Sequence, residues 1–313
     1  MTTDALRPQS LAEFSGQPNV VQQLSLVLGA ARKSHSTPDH ILLAGPAGLG
    51  KTTLSLIIGV ELDAPVQLVT APSVKSAEDM TAILLNVEEG SVLFFDEIHR
   101  LRGAVAELLY MAMEDGRIDV RVGSGRESVI IPVRIPSFTL VGATTHAGML
   151  PAPLRDRFGL VATLELYSTE DLTRVVQRSF DKQGVRVGED AAREVALRSR
   201  GTPRIANRLV RRVRDFAIVN DVESVTNEQV DQVLAVYEVD SLGLDRLDRE
   251  VLHALVVTFE GSPTSLATIA AATGTTEVTI EEMVEPYLIH KGLITRTPRG
   301  RVATQAAVAH LAS

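Results

Sequence analysis

The sequence contains no cysteine and no tryptophan, and aromatic residues make up only 4% of its 313 residues. Without cysteine the chain can form neither a disulfide nor a thiolate metal site, which fits a cytosolic protein. With so few aromatic side chains, we do not expect a platform that stacks the bases of single strands. No apolar run approaches the roughly 20 residues of a membrane helix, and no signal segment opens the chain. We therefore expect a cytoplasmic protein with no membrane partner.

An excess of positive charge is also missing, because the formal net charge is −8 at pH 7. This balance argues against a generally basic protein that coats DNA. Any contact with nucleic acid must come from a local basic patch. A chain of 313 residues is long enough for two or three domains with substantial cores.

What the sequence does contain is a phosphate-binding pattern. Residues Gly45–Thr53 read GPAGLGKTT, which fits G-x-x-x-x-G-K-T. The segment follows the apolar run Ile41–Ala44 and opens the amphipathic stretch Leu54–Leu62. This is the strand–loop–helix setting that such a loop requires. The alternative, a glycine-rich turn before a helix, has no need of the lysine and threonine.

Each residue type in the loop has a chemical reason. Glycines such as Gly48 and Gly50 let the backbone amides point inward at phosphate oxygens. Lys51 is expected to reach the β- and γ-phosphates, and the Thr52 hydroxyl is expected to bind Mg²⁺. The positive end of the helix that starts at about Lys51 points at the same phosphates, and Thr53 is expected to be a further nucleotide-binding residue. The pattern thus predicts ATP and Mg²⁺ as cofactors.

A second element lies about forty-five residues further on. The apolar run Val92–Phe95 ends in Asp96 and Glu97, as a buried parallel strand with carboxylates at its C-terminal end would. We expect Asp96 to hold Mg²⁺ through water and Glu97 to polarise the water that attacks the γ-phosphate. Alone, such a run is usually a strand that meets solvent; after a phosphate loop it indicates hydrolysis.

Alternation of strands and helices predicts an α/β domain with a parallel sheet over residues 1 to about 168. The strand candidates are Ile41–Ala44, Val66–Val69, Val92–Phe95 and Thr139–Thr145. The helix candidates are Val20–Lys33, Leu54–Leu62, Glu78–Asn86 and Ala104–Glu114. Residues 117–135 read instead as an inserted β-hairpin whose tip is Gly123–Glu127. Its exposed-looking aliphatic residues favour a partner site, although folding back on its own domain is the alternative.

Residues 169–239 show helical periodicity only and predict a helical domain that starts at Ser168 or Thr169. Eight arginines lie between residues 193 and 214, and most are expected to form a solvated face. The segment Gly201–Arg204 differs, because a helix start there would fix Arg204 in the first turn.

Residues 240–313 predict three helices and a hairpin, the pattern of a winged helix. The third helix bears four acids, Glu277, Glu281, Glu282 and Glu285, which would be repelled by DNA phosphates. The predicted wing carries three arginines, Arg296, Arg299 and Arg301. We therefore expect duplex DNA to be bound through the wing with little reading of base sequence, the alternative being a protein-docking module.

Taken together, these motifs resemble the RuvB family of AAA+ ATPases over essentially the whole chain. Besides the phosphate loop, the matching segments are Leu6–Pro8, Asp39–His40, Asp96–Leu101, Ala112–Asp115, Gly142–Thr145, Pro153–Gly159, Gly201–Arg208, Arg211–Phe216, Glu285–Ile289 and Arg296–Arg301. The resemblance implies a P-loop AAA+ domain over 1–168, a helical lid over 169–239 and a winged helix over 240–313.

The resemblance also implies roles for single residues. Thr145, or its neighbour Thr144, is the first sensor beside Glu97, and Arg204 is the second sensor. Arg157 is the arginine finger that acts on the ATP of a neighbouring subunit. The remaining positions that line the nucleotide are Leu6, Arg7, Tyr167, Glu114, Asp115 and Gly116.

For function, the resemblance implies a homo-hexameric ATP-driven DNA translocase that moves Holliday junctions in recombination and repair. Its implied partners are the duplex arms of the junction, a RuvA-like protein at hairpin 117–135, and a RuvC-like resolvase in the same complex. The alternatives are a clamp-loader-like or initiator-like switch ATPase and a non-enzymatic adaptor.

Four features depart from the usual family sequence. They are Ala47 in the loop, Gly116, His146 after the two threonines, and the hairpin tip at residues 125–129.

Overall fold

The computed structural model describes residues 6–122 and 129–312, so the predicted hairpin tip lies outside the described residues. The chain divides into two compact units. The first runs to Val175 and includes Thr202–Arg204, and the second comprises Val176–Gly201 and the chain from Ile205 onward. In the described residues, no helix is both long and apolar enough to span a bilayer.

The first unit is built on a five-stranded parallel sheet. Its strands are β1 (Ile41–Ala44), β2 (Val66–Thr70), β3 (Val92–Asp96), β6 (Thr139–Thr144) and β7 (Leu160–Thr163), in the order β2-β3-β6-β1-β7. The predicted α/β class is confirmed, and the four strand candidates match within a residue. β7 was not predicted, because Leu160–Thr163 is a short segment with only one buried residue, Ala162.

Helices cover both faces of this sheet, as a parallel sheet requires. They are α1 (Pro18–Ser34), α2 (Lys51–Leu62), α3 (Ala77–Leu85), α4 (Ala104–Asp115) and the short α5 (Ala152–Arg155). One large core cluster joins the side chains of β3 and β6 to α3 and α4. Phe95 and Leu109 are fully buried in it. This core fixes the strand ends on which the candidate site is built.

The inserted hairpin forms as predicted from β4 (Arg117–Val122) and β5 (Val129–Arg134), paired antiparallel. The alternative that the hairpin folds back on its own domain holds for its base. Ile118 and Val133 pack against the core of the unit, whereas Val129 and Ile130 are 60% and 57% exposed. The base of the hairpin therefore belongs to the domain, and its outer part presents aliphatic surface.

In the second unit, residues up to about 239 are mainly helical. The helices are α6 (Thr169–Gln183), which starts in the first unit, α7 (Glu189–Leu197), α8 (Pro203–Val219) and α9 (Asn227–Val236). The expectation of helices alone was wrong, since β8 (Arg186–Val187) and β9 (Ser224–Val225) form a two-residue parallel pair. Such short strands leave no periodic signal in a sequence.

Two of the eight arginines depart from the expected solvated face. Arg198 is buried and pairs with Glu194 and Asp231. Arg200 is 11% exposed, and its guanidinium pairs with Asp248, a buried residue of the helix Arg246–His253. The pair Arg200–Asp248 joins the helical part of the second unit to its C-terminal part, whereas both pairs of Arg198 lie within the helical part.

The C-terminal part has the predicted winged-helix pattern. It contains α10 (Arg246–His253), α11 (Leu266–Thr273), α12 (Glu277–Thr279), α13 (Glu285–His290), β10 (Ile294–Thr297), β11 (Gly300–Ala303) and α14 (Gln305–Leu311). The predicted continuous helices are interrupted, because Ala254–Thr258 and Ile280–Val284 form π-helical turns. α14 was not predicted. One core cluster with Leu252 and Leu288 at its centre holds the part together.

Candidate functional site

Three strands bring the chemistry-bearing residues of the first unit to one edge of the sheet. β6 lies between β3 and β1, so the C-terminal ends of these strands are neighbours. Ala44 at the end of β1 is in register with Thr144 at the end of β6, and the Gly45 amide donates to the Thr144 carbonyl at 3.1 Å. The phosphate loop, the Asp96–Glu97 pair and the two threonines therefore converge, as the sequence predicted.

The loop has the shape of an anion cradle. Gly48 and Gly50 have φ of 82° and 104°, values that side chains rarely tolerate. A Cβ on Gly48 would lie 2.7 Å from Thr202, and one on Gly50 would lie 3.1 Å from Phe14. α2 begins at Lys51 directly after Gly50, so the positive end of the helix faces the loop.

Lys51 is buried beneath the loop, with 7% of the residue exposed. Its ammonium donates to the carbonyls of Gly45 at 2.7 Å and Pro46 at 2.9 Å. Burial lowers the pKa of Lys51 below its ordinary value, the carboxylates of Glu97 and Asp96 oppose that shift, and Arg204 adds to it. The ammonium is thus coupled electrostatically to the other predicted site residues.

The carboxylate of Glu97, the predicted water activator, is in contact with Thr145, the predicted first sensor. Oε2 of Glu97 accepts a hydrogen bond from the Thr145 hydroxyl at 3.1 Å. The Thr144 hydroxyl is buried and does not reach Glu97; it accepts from the His146 amide at 3.0 Å. Of the two threonines left open by the sequence, Thr145 is the one in contact with Glu97.

Two histidines surround this contact. Nδ1 of His99 lies 3.2 Å from Glu97 Oε2 and 3.0 Å from Thr144 Oγ1. Nδ1 of His146 lies 2.8 Å from Thr145 Oγ1. Because the Thr145 hydroxyl gives its proton to a carboxylate, which can only accept, His146 must donate to Thr145. Burial lowers the pKa of His99, Glu97 raises it in part, and the charges of His146 and Arg100 lower it further.

The surroundings of the phosphate loop contain both predicted and missed residues. The buried Tyr167 donates its hydroxyl to the Leu49 carbonyl at 3.3 Å. Leu6 is buried, and Arg7 lines a groove of about 740 Å³ with Thr53. Phe14, which packs against Gly50, was missed, since a lone aromatic in an N-terminal segment gives no motif.

The second predicted sensor lies at the phosphate loop. The Arg204 amide donates to the Gly48 carbonyl at 3.3 Å, and its Cβ would lie 3.0 Å from a Cβ on Gly48. α8 begins at Pro203, so Arg204 is in the first helical turn as the sequence predicted. Thr202 and Arg204 both belong to the first unit, with the loop.

Arg157 lies elsewhere in the first unit. Its guanidinium donates to the Tyr110 hydroxyl at 3.1 Å, pairs with Glu114, and lies 5.3 Å from the centre of the Tyr110 ring. The Tyr110 hydroxyl and the Glu114 charge raise the pKa of Arg157. Tyr110 was missed, although its position one turn before Glu114 on α4 places both on one helix face.

A cavity of about 580 Å³ is lined by Arg157, Glu114 and Gly116 and by no residue of the phosphate loop. Asp115, next to these residues, pairs with Arg117 at 3.6 Å. The predicted nucleotide residues therefore separate into two groups on the first unit. One group surrounds the loop, and the other lies around Arg157.

The oxygen atoms of Thr52 and Asp96 could bind magnesium, but they are too few to hold a metal ion by protein ligands alone. Among residues 6–122 and 129–312, no cluster of three or more histidine, aspartate or glutamate side chains could hold a metal ion. Half-buried Thr52 and Asp96 offer oxygen ligands. Magnesium is usually held by one or two protein ligands, waters and phosphate oxygens, so these residues fit it.

The wing of the second unit is organised around a buried acid. Glu285 is 0% exposed and accepts from Arg296 at 2.6 Å and from Arg301 at 3.0 Å. Burial raises the pKa of Glu285, but the hydrogen bonds from these two arginines outweigh that effect and hold it below its ordinary value. Glu285 is therefore not one of the exposed acids of the third helix, because the two arginines neutralise it inside the unit. Arg299 lies exposed in the turn of the wing.

The first unit combines a parallel sheet of this order, a phosphate loop and a strand that ends at Asp96–Glu97. A helical lid and a winged helix follow it in the chain. These features together define a P-loop AAA+ ATPase with an appended winged helix. Three family descriptions match consecutive parts of the chain. They are "Holliday junction DNA helicase RuvB P-loop domain" over residues 6–164, "RuvB AAA lid domain" over 167–240 and "RuvB C-terminal winged helix domain" over 241–312.

The chain belongs to the RuvB family. It is 55% identical to the Holliday junction branch migration complex subunit RuvB of Streptomyces coelicolor over 98% of this chain and 86% of the relative. It is 56% identical to the protein of the same name from Corynebacterium jeikeium, over 98% and 87%. The solved Thermotoga maritima RuvB Holliday junction branch migration motor superposes with a TM-score of 0.88 at 44% identity, over 98% of both chains.

Proposed function

We propose that this chain is an ATP-driven motor that moves four-way DNA junctions during recombination and repair in the cytoplasm. The observation that carries the proposal is the convergence of the phosphate loop, Asp96–Glu97 and Thr145 at one sheet edge. Relatives that match nearly the whole chain bear the name of a Holliday junction branch migration complex subunit. Four-way junctions are therefore the DNA substrate that we infer.

In this proposal the loop amides and Lys51 bind the β- and γ-phosphates of ATP. Thr52 and Asp96 hold Mg²⁺, which would neutralise charge on the phosphates when bound. The rest of the nucleotide is contacted by Leu6, Arg7, Thr53 and Tyr167. Support comes from the cradle shape of the loop and from the burial of Lys51 next to two carboxylates.

Glu97 takes the proton of the attacking water, and Thr145 orients Glu97 by donating to Oε2. Arg204 contacts the γ-phosphate of the same subunit, since its backbone lies at Gly48. These roles use only side chains that the fold brings to the loop. They assign hydrolysis, rather than transfer to another acceptor, to the site.

Arg157 acts on the ATP of a neighbouring subunit in a ring, which we infer to be a hexamer. The cavity at Arg157 is lined by Glu114 and Gly116 but by no residue of the phosphate loop of the same subunit. This separation supports action on a neighbouring subunit. Because no subunit then has a complete site, hydrolysis depends on assembly. Asp115 and Gly116 belong to the same neighbour-facing group.

The outer part of the inserted hairpin is the surface that we assign to a RuvA-like partner. Val129, Ile130 and Ile131 are 60%, 57% and 46% exposed on consecutive positions. Three adjacent exposed aliphatic side chains are unusual on a surface with no partner. A RuvC-like resolvase in the same complex rests on the family resemblance alone.

Replacing Ile130 with aspartate should weaken binding of the partner by about 30-fold or more, as loss of a central apolar contact does. Ile130→Leu, which keeps the apolar surface, is the matched control and should bind normally. Binding can be measured by titrating labelled protein with the cognate RuvA-like protein. Equal affinity of the two variants would remove the hairpin from the partner interface.

We assign duplex binding to the wing, through Arg296, Arg299 and Arg301. Arg296 and Arg301 are oriented by Glu285, whereas Arg299 is exposed in the turn. Replacing Arg301 would also leave the buried Glu285 short of a partner, at a cost of about 1–3 kcal/mol in folding. Arg299 therefore offers the cleaner test of DNA binding.

Arg299→Ala should reduce the salt dependence of duplex binding, with the slope of log K against log [salt] falling by about 0.9. The loss should be equal for unrelated sequences, because phosphates carry no base information. Arg299→Lys, which keeps the charge, should keep the slope. A loss confined to some sequences would contradict phosphate binding by the wing.

The alternative function is a clamp-loader-like or initiator-like switch, and DNA length distinguishes it from a motor. A motor that runs off short duplexes must rebind, so its steady rate of ATP hydrolysis rises with duplex length. A switch that hydrolyses ATP once per loading event shows no such rise. We expect the steady rate of ATP hydrolysis to increase from short linear duplexes to closed circular DNA when both are supplied at the same concentration of base pairs. A rate that does not change with DNA length would favour the switch.

A further inference from the structure

The backbone that carries Arg157 is fixed by the core of the first unit, whereas its side chain extends toward solvent. The flanking residues Leu154 and Phe158 are buried in the core cluster, and the Arg157 amide donates to the Leu154 carbonyl at 3.4 Å. The Arg157 side chain itself is 39% exposed. An exposed arginine loses considerable rotamer entropy when it is held in one conformation. A defined orientation of its guanidinium therefore needs partners from other side chains.

Helix α4 supplies two such partners one turn apart, Tyr110 and Glu114. Nη2 of Arg157 donates a hydrogen bond to the Tyr110 hydroxyl at 3.1 Å, and Cζ of Arg157 lies 5.3 Å from the centre of the Tyr110 ring. Glu114 forms an ion pair with Nε of the same guanidinium. Tyr110 thus contacts the guanidinium through both its hydroxyl and its ring.

The position of the Tyr110 hydroxyl follows from the packing of α4. Leu109 and Ala112 on this helix are buried in the core cluster, and Tyr110 is half-buried beside them. A tyrosine side chain has only two χ angles, so it is ordered at low entropic cost. The hydrogen bond with Tyr110 is also the largest of the effects that raise the pKa of Arg157.

The two partners differ in what they allow the guanidinium to bind. A guanidinium carries five N–H donors, of which Tyr110 takes one at Nη2 and Glu114 lies at Nε, so others remain for phosphate oxygens. Glu114 and a phosphate are both anions and compete for Arg157. The neutral hydroxyl and ring of Tyr110 can keep their contacts while a phosphate is bound.

We propose that Tyr110 is a positioning residue for ATP hydrolysis, whose hydroxyl and ring orient the Arg157 guanidinium toward the γ-phosphate of ATP in a neighbouring subunit. The inference rests on the proposed role of Arg157 as a finger that acts in trans. In the reaction, the water oxygen bonds to the γ-phosphorus and the bridging bond breaks with its electron pair on ADP. The water proton passes to Glu97, and the guanidinium neutralises charge on the γ-phosphate oxygens.

Two substitutions separate the hydroxyl from the ring. Tyr110→Phe keeps the ring and should lower kcat by about 10-fold, as loss of a hydrogen bond to a charged group does. Tyr110→Leu loses both contacts and should lower kcat by about 100-fold, the effect of misplacing a catalytic group by about 1 Å. Nucleotide affinity should be unchanged in both variants, because the phosphate loop of each subunit is intact. Unfolding temperatures check that each variant is folded.

Tyr237 provides the matched control. It is also paired with an arginine, since Cζ of Arg212 lies 4.9 Å from the centre of its ring in the second unit. Tyr237→Phe therefore removes a hydroxyl from a comparable arginine–tyrosine pair outside the candidate site. We expect the rate of ATP hydrolysis to be unchanged in that variant.

Mixed assemblies test whether Tyr110 acts through the finger. A Tyr110→Leu subunit keeps an intact phosphate loop, and a Lys51→Ala subunit keeps Tyr110 and Arg157. In a random 1:1 mixture, roughly a quarter of the interfaces in a closed ring combine both intact halves. The rate of the mixture should therefore exceed the rates of both variants alone, as it should when Arg157→Ala replaces Tyr110→Leu.

A double-mutant cycle gives the second readout. Adding Tyr110→Leu to Arg157→Ala should cost nothing further, because the positioned group is already gone. A wild-type rate in Tyr110→Leu, a further loss in the double variant, or equal losses in Tyr110→Phe and Tyr237→Phe would overturn the proposal. So would a mixture that stays inactive with Tyr110→Leu but recovers with Arg157→Ala. Near-normal hydrolysis in Arg157→Ala itself would instead remove the proposed finger, so the two failures are distinguishable.

Discussion

Arg157→Ala should reduce ATP hydrolysis by about 10³- to 10⁵-fold, the range over which an arginine finger contributes, with nucleotide affinity unchanged. The reason is geometric. Arg157 is held by Tyr110 and Glu114 at a cavity that contains no residue of its own phosphate loop. Its removal therefore leaves every cis contact to the nucleotide in place. Rates from a phosphate-release assay and affinities from a fluorescent nucleotide measure the two quantities separately.

Arg155 provides the matched control for this prediction. It is exposed two residues earlier and is 3.7 Å from Asp156, so Arg155→Ala removes the same charge from the same surface. We expect a far smaller loss of rate in that variant. Equal losses would mean that general surface charge, rather than a specific finger, explains the effect.

Mixed assemblies test the action in trans. An Arg157→Ala subunit keeps an intact phosphate loop, and a Lys51→Ala subunit keeps an intact Arg157. In a random 1:1 mixture, roughly a quarter of the interfaces in a closed ring combine both intact halves. Hydrolysis should therefore reappear in the mixture, although each variant alone is inactive. Its absence would argue that Arg157 serves its own subunit.

Lys51→Ala should lower kcat/KM for ATP by about 10²- to 10³-fold or more, as loss of a single transition-state donor does. The ammonium is buried, donates to the loop carbonyls of Gly45 and Pro46, and is stabilised electrostatically by the carboxylates of Asp96 and Glu97. No other lysine side chain occupies the loop, so the charge at the β- and γ-phosphates is not replaced. Nucleotide titration and steady-state hydrolysis measure the loss.

Lys51→Arg separates charge from shape. The guanidinium keeps the positive charge but is planar and larger than an ammonium, and only 7% of Lys51 is exposed. We expect this variant to remain strongly impaired, because the pocket under the loop fits a point charge. Normal turnover in either variant would contradict the assignment of the loop as the ATP site.

The parts of the fold that could be predicted are those with a local signal. The apolar runs of β1 and β3, the loop glycines and Lys51 are contiguous in sequence, and their strand–loop–helix order requires one arrangement. β7 carried no such signal, since only one of its four residues is buried and its place beside β1 depends on tertiary pairing. The π-helical turns at 254–258 and 280–284 interrupt helices whose apolar periodicity continues through them.

In the candidate site, too, the residues that could be predicted are those with a local sequence signal. Asp96, Glu97 and Thr145 lie at the ends of strands and were found. The contacts of His99 with Glu97 and Thr144 depend on the left-handed conformation of Glu97, which is unusual for a glutamate. The burial of Glu285 was not predicted, for a related reason. A charged residue on a predicted helix reads as exposed, and only the approach of Arg296 and Arg301 from the wing permits its burial.

Dissociation of a synthetic four-way junction tests the central claim most directly, that hydrolysis at this site moves DNA. The measurement compares the wild-type chain and Glu97→Gln, each with the cognate RuvA-like protein, ATP and Mg²⁺. We predict that the wild-type chain separates the junction into duplex products only when both ATP and the partner are present, and that Glu97→Gln binds the junction without separating it. ATP hydrolysis by the wild-type chain with no movement of the junction would contradict the account.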